Sequence, residues 1–271
     1  MPNEVTGRQL ADVFRSAGLE AGNSVLIHSS FRSLGAVVGG PDAVVDALLD
    51  VIGPKGNLML PSFNYSQPLP EPYYNPAQTP ARTGIIVETG RKRKNAVRSL
   101  HPTHSVSVIG ADADLLTRDH LAGRVFGAGS PIDRLAQMGG KVLLIGVPHT
   151  SSSTIHVGEE HAGVPKAGWS EPIPKVKVLM PDGTIREHQL DTSPSCSAAF
   201  GAVEYALRRH NEIRDVRLGV CLIQLMLGRD VIRRTVEIIC QKPDILLCTW
   251  NQCKPCAGAR KQLTANKKQA D

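Results

Sequence analysis

The chain has 271 residues, of which 41% are hydrophobic and 21% are charged, as is typical of a soluble globular protein with a substantial core. No apolar run reaches the length of a membrane span, and the N-terminal Met-Pro-Asn-Glu lacks the basic and apolar regions of a signal peptide, so we expect a cytoplasmic protein with no membrane partner. The net charge of +6 suits binding to a polyanion or to a phosphorylated cofactor. Only 4% of the residues are aromatic, so few side chains can stack on nucleic-acid bases, and we expect no nucleic-acid partner.

The first part of the chain predicts a helix followed by a βαβ unit. Thr6 and Gln9 form a capping-box pattern ahead of apolar residues at helical spacing. The apolar segment 24–28 predicts a strand, Pro41 suits the first turn of a helix, and Asn57–Leu60 predicts a second strand. Strand, helix and strand in this order predict a parallel pair.

The middle of the chain contains a long loop and a strong helix start. Residues 61–80 are rich in Pro, Tyr and Asn, and loops of this length are usually functional or mobile. Thr83 is predicted to cap a short helix, and residues 106–109 are predicted to form a strand. Ser-Pro-Ile-Asp at 130–133 places Ser at the N-cap, Pro at the first helical position and Asp in the first turn.

The later elements complete an α/β fold. Residues 141–147 predict a buried strand, and Pro-Asp-Gly at 181–183 predicts a hairpin whose antiparallel strands join the sheet. A further strand is predicted at 216–220, with a helix after Gly228. We therefore expect a single mixed sheet with a mainly parallel core, an added antiparallel hairpin and helices on both faces. The predicted boundaries are one domain at 1–250 and a polar basic tail at 251–271.

Five of the six cysteines lie in the last fifth of the chain. Cys221, Cys240 and Cys248 stand among aliphatic residues and are predicted to be small core residues. Cys253 and Cys256 form a C-x-x-C pair that stands alone, whereas a zinc site would need a second pair or downstream histidines. A redox pair would need the start of a helix near the centre of the fold. We expect no metal or redox cofactor at this pair.

The candidate reactive residues follow the strand at 141–147. Thr154, His156 and Glu159 come just after its carboxyl end, where open α/β sheets usually bind ligands. His156 and Glu159 are three residues apart and share one face of a helix. A histidine beside a carboxylate is the minimum requirement for a general base. A buried structural histidine is an equally weighted interpretation of His156 on these grounds alone.

Two further hypotheses remain open at this point. A metal-dependent hydrolase using His149, His156 and Glu160 is one, although the spacing misses H-E-x-x-H and H-x-x-E-H by a residue. A non-catalytic nucleic-acid binder built on basic clusters at 91–94 and 254–268 is the other. The hydroxyl- and glycine-rich loop 29–40 ahead of a helix suits a pyrophosphate, but it equally suits an ordinary strand-to-helix turn.

Seven ordered motifs extend over much of the chain. They are His28-Ser-Ser-x-x-x-x-Gly35, Gly39-Gly-Pro-Asp-Ala-Val-Val-Asp-Ala-Leu48, Gly53-Pro-x-Gly56, Arg98-Ser-x-His-Pro-x-x-Ser105, Phe126-Gly-x-Gly-Ser-Pro131, Lys141-Val-Leu-Leu-Ile-Gly-Val147 and Thr154-x-His156-x-x-Glu159. In these motifs the chain resembles the aminoglycoside 3-N-acetyltransferase family. The tail from Cys248 onward matches nothing in the family pattern.

The resemblance implies acetyl transfer from acetyl-coenzyme A to an amine, with no metal, on an α/β fold unrelated to the common N-acetyltransferase superfamily. The acceptor would be the 3-amino group of 2-deoxystreptamine in an aminoglycoside or, alternatively, another amine, and the enzyme a monomer or homodimer. His156 would be the general base, Glu159 would orient it, and Thr154 would polarise the thioester carbonyl. The implied coenzyme contacts are His28, Ser29, Ser30, Phe31, Gly35, Ser99, His101 and Ser105. The implied acceptor contacts are Tyr65, Glu88, Asp133 and Glu160.

Overall fold

The predicted βαβ unit forms the centre of the fold in the computed structural model. The structure describes residues 4–65, 69–165, 174–191 and 196–270, and only the backbone is described at 267–270. The strands are β1 (Ser24–Ser29), β2 (Asn57–Leu60), β3 (Val97–Arg98), β4 (Ser107–Gly110), β5 (Lys141–Ile145), β6 (Lys175–Leu179), β7 (Ile185–Gln189), β8 (Arg214–Leu218) and β9 (Cys221–Leu227). The helices are α1 (Gly7–Ala17), α2 (Gly40–Ile52), α3 (Ile85–Arg91), α4 (Ala113–Thr117), α5 (Pro131–Gln137), α6 (Ser153–His161), α7 (Gly201–Arg209), α8 (Gly228–Gln241) and α9 (Lys254–Ala270).

A seven-stranded sheet has the order β3-β4-β2-β1-β5-β9-β8. β1 is parallel to both β2 and β5, and the outer strands pair antiparallel. At the carboxyl end of the parallel pair, His28 lies opposite Leu144 and Ser29 opposite Ile145. The loops that follow β1 and β5 therefore leave the sheet side by side, which is the arrangement that positions a ligand site.

Helices cover both faces of the sheet, as predicted. Val25 and Ile27 of β1 pack into an apolar cluster with α1, α2 and α3. Leu26, which points to the opposite face, packs into a second cluster with α4 and α5. On that second side, Leu144 of β5 joins a third cluster with α6, α7 and α8. The mixed α/β class is confirmed.

The predicted hairpin forms, but its predicted place was wrong. β6 and β7 pair with each other in a separate two-stranded sheet instead of joining the large one. They hold the long loop: the Tyr74 amide donates to the Lys177 carbonyl at 2.7 Å, and the Leu179 amide donates to the Tyr74 carbonyl at 2.9 Å. The fully buried Tyr74 ring fills the small cluster beneath the hairpin. The hairpin thus serves as the anchor for the 61–80 loop.

Two of the three predicted helix caps are present. The Thr6 hydroxyl accepts from the Gln9 amide at 3.3 Å while the Gln9 side chain accepts from the Thr6 amide at 2.9 Å. Ser130 accepts from the Asp133 amide at 3.4 Å. The cap predicted at Thr83 was wrong, because its hydroxyl instead donates to the Pro61 carbonyl and ties the long loop to the start of α3.

The C-terminal part differs most from prediction. The strand predicted at 216–220 is β8, which turns at Gly219 (φ +57°) into the unpredicted β9. Cys221 is buried as expected, but Cys240 is exposed and Cys248 is half-buried, so their assignment to the core was wrong. Residues predicted as tail form α9. Among the described residues, no helix has both the length and the hydrophobicity needed to cross a bilayer.

Candidate active site

α6 carries the three candidate reactive residues to the carboxyl edge of the parallel strands. The connection from β5 turns at Gly146 (φ +62°), where a Cβ atom would overlap the Ser33 side chain from the loop after β1. The His28 Nε2 accepts from the amide of Ser153, the first residue of α6, at 3.3 Å. An amide can only donate, so the proton of neutral His28 resides on Nδ1. These contacts fix α6 against both strands.

His156 and Glu159 form the central pair of the site. The His156 Nδ1 lies 2.6 Å from the Glu159 Oε2, as their spacing on one helix face predicts. The Glu159 side chain is only 3% exposed and that of His156 is 13% exposed. Because Nδ1 faces the carboxylate, Nε2 is the nitrogen available for proton transfer. The short bond to a buried carboxylate fixes the orientation of the imidazole.

Two aromatic rings hold the His156 imidazole in place. Phe126 stacks on it with centroids 5.1 Å apart and an interplanar angle of 21°. Phe200 meets it edge-on at 4.8 Å and 67°. Both phenylalanines are almost completely buried. The imidazole is therefore confined to one plane, which is what a positioned base requires.

Two buried histidines near His156 remain neutral. Burial, followed by the electrostatic interaction with the His156 imidazole, lowers the pKa of His28 from 6.5 to about 3. The same two causes lower the pKa of His104 to about 3. His104 lies against Phe126 at 5.4 Å and against Tyr65 at 5.9 Å. Sequence analysis missed His104, although it occupies an unspecified position inside one of the ordered motifs.

Three buried hydroxyls lie at the β1 and α6 ends of the site. The Oγ atoms of Ser29 and Ser152 and the Oγ1 of Thr154 have no hydrogen-bond partner within the described part of the chain. A buried hydroxyl left without a partner costs about 1–3 kcal/mol. Such groups are often explained by a ligand that supplies the missing partner. Thr154 is one of these three residues, and its assignment to a substrate oxygen remains a prediction.

The loop after β1 contains the other predicted coenzyme contacts. Phe31 begins a short 3-10 turn after Ser30, and the Ser33 hydroxyl donates to the Ser30 carbonyl at 2.7 Å. Gly35 has φ +78°, and no neighbouring atom occupies the space beside it. The loop then enters the N-terminus of α2, whose amides suit an anion. The assignment of Ser30, Phe31 and Gly35 to the coenzyme remains a prediction.

Three further predicted coenzyme residues form hydrogen bonds within the fold. The Ser99 Oγ lies 2.8 Å from the His120 Nδ1, and the Ser105 hydroxyl donates to the Ser62 carbonyl at 2.9 Å. The His101 Nδ1 accepts from the amides of two following residues, and burial lowers the pKa of its imidazole well below 6.5. All three side chains are buried, and the His101 Nε2 has no hydrogen-bond partner among the described residues. Their assignment to the coenzyme remains a prediction. They hold the segment that carries His104 in place.

Of the four predicted acceptor contacts, one lies at the rim of the site. Tyr65 is 45% exposed and packs edge-on against His104. Glu88 instead pairs with Arg91 at 2.6 Å. Burial alone would raise the pKa of Glu88, but hydrogen bonds from Arg91, from the Ala81 amide and from Lys92 lower it to about 2. The structure therefore gives Glu88 a role inside the fold rather than in an acidic wall.

The other two carboxylates are also engaged within the chain. Asp133 accepts from the Gly129 amide at 2.8 Å and lies 3.2 Å from the His161 Nε2. Glu160 forms an ion pair with Arg124 at 3.3 Å. Each of these acids already has a polar partner within the chain. These contacts give no support to the prediction that Asp133 and Glu160 bind a cationic acceptor.

The metal-site hypothesis at α6 is not supported by the described residues. Among them, the only group of histidine, cysteine or acidic side chains that could hold a metal consists of Cys196, Cys248, Cys253 and Cys256. His149 is 1% exposed and lies within the electrostatic influence of α7 and β8. The expectation that the C-x-x-C pair stands alone was wrong, because its partners come from earlier in the chain.

Comparison with known proteins agrees with this geometry. The sequence pattern of the family described as aminoglycoside 3-N-acetyltransferase matches residues 26–239. Aminoglycoside N(3)-acetyltransferase VII of Streptomyces paromomycinus is 35% identical over 179 residues, 59% of this chain. The match spans 62% of that enzyme's length, less than two thirds. Aminoglycoside N(3)-acetyltransferase IV of a Salmonella species is 27% identical over 232 residues, 85% of each chain.

Solved structures show the same fold. The aminoglycoside acetyltransferase AAC(3)-IVa, crystallised as a histidine-to-alanine mutant with a gentamicin, superposes with a TM-score of 0.85 at 26% identity. The alignment covers 96% of this chain and 98% of that one. AAC-IIIb, in a binary complex with CoASH, superposes with a TM-score of 0.76 at 24% identity over 89% of this chain and 98% of its own. Since the family pattern extends over more than half of the residues, the chain belongs to the aminoglycoside 3-N-acetyltransferase family.

Proposed function

We propose that the protein transfers an acetyl group from acetyl-coenzyme A to the 3-amino group of an aminoglycoside. The observation that carries this proposal is the buried His156–Glu159 pair, at 2.6 Å, beside the carboxyl ends of β1 and β5. Family membership and a relative bound to a gentamicin support the choice of acceptor. Another amine accepted by the same site is the alternative, because three of the predicted acidic contacts are engaged elsewhere.

The proposed chemistry begins with the acceptor amine, which is bound as an ammonium and has no free electron pair. The His156 Nε2 takes one proton from this nitrogen, and the Glu159 carboxylate stabilises the imidazolium that results. The freed electron pair attacks the thioester carbonyl, which forms the N–C bond. Thr154, whose hydroxyl lacks a partner among the described groups, donates to the oxygen that becomes negative.

The intermediate then collapses. The C–S bond breaks, the electron pair leaves with the sulfur of coenzyme A, and the amide nitrogen loses its remaining extra proton to water. The imidazolium of His156 returns a proton to the departing thiolate, so no covalent bond to the protein forms. The neutrality of His28 and His104 supports this scheme. Two uncharged imidazoles beside His156 do not repel a polycationic acceptor, as protonated histidines would.

The donor is assigned to the loop after β1. Ser29 offers a buried hydroxyl without a partner in the described structure, and the N-terminus of α2 offers amides for a pyrophosphate. The space beside Gly35 allows the pantetheine arm to approach the backbone. The net charge of +6 favours binding of a phosphorylated donor.

The test is release of free thiol from acetyl-coenzyme A in the presence of a panel of aminoglycosides and simple amines. His156→Gln should lower turnover by about 10²- to 10⁴-fold, the usual contribution of general acid–base catalysis. His210→Gln, on a histidine at the end of α7, is the matched control and should remain near wild type. Thiol release with simple amines but with no aminoglycoside would favour the alternative acceptor class.

A further inference from the structure

Four cysteines from three separate segments meet at the C-terminal end of the chain. Cys196 lies ahead of α7, Cys248 follows α8, and Cys253 and Cys256 lie at the start of α9. Their sulfur atoms all lie within 4.8 Å of one another. In a tetrahedral site with Zn–S bonds of about 2.3 Å, the sulfurs are about 3.8 Å apart. All four cysteines are free, so no disulfide accounts for their approach.

The spacing of the ligands also suits zinc. Cys248, Cys253 and Cys256 form a C-x-x-x-x-C-x-x-C pattern, and structural zinc sites commonly use ligand pairs two to four residues apart. Cys196 supplies the fourth sulfur, which closes the coordination sphere and leaves no open position for a substrate. A closed set of four sulfurs is typical of a structural site rather than a catalytic one.

Two backbone amides and one guanidinium lie beside the cluster. The Ala198 amide lies close to the sulfur of Cys196, and the Trp250 amide lies close to that of Cys248. The Arg260 guanidinium donates to the carbonyls of Leu247 and Cys248, which places a positive charge beside the cluster. Zinc bound by four thiolates carries a net negative charge, which these amides and this cation offset.

The packing of α9 provides an independent reason for a cross-link. The buried side chains at its start are Cys253, Cys256 and Ala259. None of the apolar clusters found among the described residues contains a side chain of α9. The sulfur cluster is thus the main buried attachment of this helix. Four neighbouring thiols attract one another weakly, whereas a bound metal supplies folding free energy directly.

We propose that Cys196, Cys248, Cys253 and Cys256 together bind one Zn²⁺ ion that fixes α9 to the domain. The same ion orders the segment leading from Cys196 to Phe200. Phe200 contacts the His156 ring at 4.8 Å, so the metal also supports the position of the proposed base. The ion takes no part in acetyl transfer, and the assignment holds whether or not the proposed acceptor is correct.

The test is metal analysis of the full-length protein, purified without chelators and in the presence of a mild reductant. We expect one zinc per chain by elemental analysis. After exchange with Co²⁺, we expect intense thiolate-to-cobalt charge-transfer bands together with the visible bands of a tetrahedral site. Cys256→Ser and Cys196→Ser should each lose most of the metal. Cys240→Ser, which alters an exposed cysteine of α8 outside the cluster, should retain it.

The spectrum of the unaltered protein makes the test independent of whether the serine variants fold. A metal-free protein that also fails to develop thiolate bands with Co²⁺ would overturn the proposal. So would zinc retained at full occupancy in both serine variants, or a native disulfide between any two of the four cysteines by mass mapping. Removal of zinc by a chelator should release α9, seen as faster tryptic cleavage after Arg260 and Lys261.

Discussion

Replacement of Glu159 by glutamine tests the part of the site on which the base depends. The amide keeps the shape of the side chain and can still accept from the His156 Nδ1, but the negative charge is lost. The native bond is 2.6 Å long and its carboxylate is 3% exposed, so water screens it little. Hydrogen bonds to charged groups contribute about 1.5–3 kcal/mol. If this stabilisation is realised only when the imidazolium forms, Glu159→Gln should lower kcat about 10- to 150-fold.

Steady-state thiol release with acetyl-coenzyme A and an aminoglycoside measures this effect. The loss should appear in kcat with little change in KM, because the Glu159 carboxylate is proposed to act through its bond to the His156 Nδ1. Glu187→Gln is the matched control, because that carboxylate is 60% exposed and forms an ion pair with Lys175 on the separate hairpin. Turnover of Glu159→Gln within about threefold of wild type, with an unchanged Tm, would refute the reasoning.

Three other changes should give distinct results. Thr154→Val should lower kcat by about 10-fold or more, because it removes the hydroxyl proposed to donate to the oxyanion. Tm should stay equal or rise, because that buried hydroxyl lacks a partner in the described structure. A normal kcat would exclude the oxyanion role. Phe200→Ala should destabilise the fold by about 3–5 kcal/mol in chemical denaturation, since its ring is fully buried. The free energy of unfolding should fall as pH drops from 6.5 toward 3, because unfolded His28 and His104 bind protons near 6.5 and the folded residues only near 3. His104→Gln should flatten that pH dependence, and an unchanged slope would contradict the pKa assignment.

Features set by neighbouring residues were predictable from the sequence. The capping box at Thr6, the helix start at Ser130 and the shared helix face of His156 and Glu159 all depend on contacts within a few residues. The parallel arrangement of β1 and β2 followed from the length of the connection between them. Alternation of strand, loop and helix was therefore enough to place the site at the edge of the sheet.

Features that depend on distant residues were not predictable in this way. Cys196 lies far from Cys248 in sequence, and only the packing of α7 against α8 brings the cysteine segments together. The ion pair between Glu160 and Arg124 likewise joins separate segments. The β9 strand was missed because its apolar run follows β8 after a single tight turn.

The ion pairs of Glu88 had a visible local signal in the sequence. Glu88 precedes Arg91 and Lys92 by three and four residues on α3, the spacing at which opposite charges pair along a helix. An acid with two such neighbours is poorly placed to attract a cationic substrate. The same spacing rule that brought His156 and Glu159 together would have removed Glu88 from the candidate acceptor contacts.

The most direct test of the central claim is identification of the product made from acetyl-coenzyme A and gentamicin by the wild-type protein and by His156→Gln. Mass spectrometry counts the acetyl groups added, and NMR identifies the nitrogen that carries them. The account predicts a single added acetyl group on the 3-amino nitrogen with wild type, and yields at least about 100-fold lower with His156→Gln at equal coenzyme binding. Wild-type protein that yields no acetylated aminoglycoside, or His156→Gln protein that yields it at the normal rate, would contradict the account.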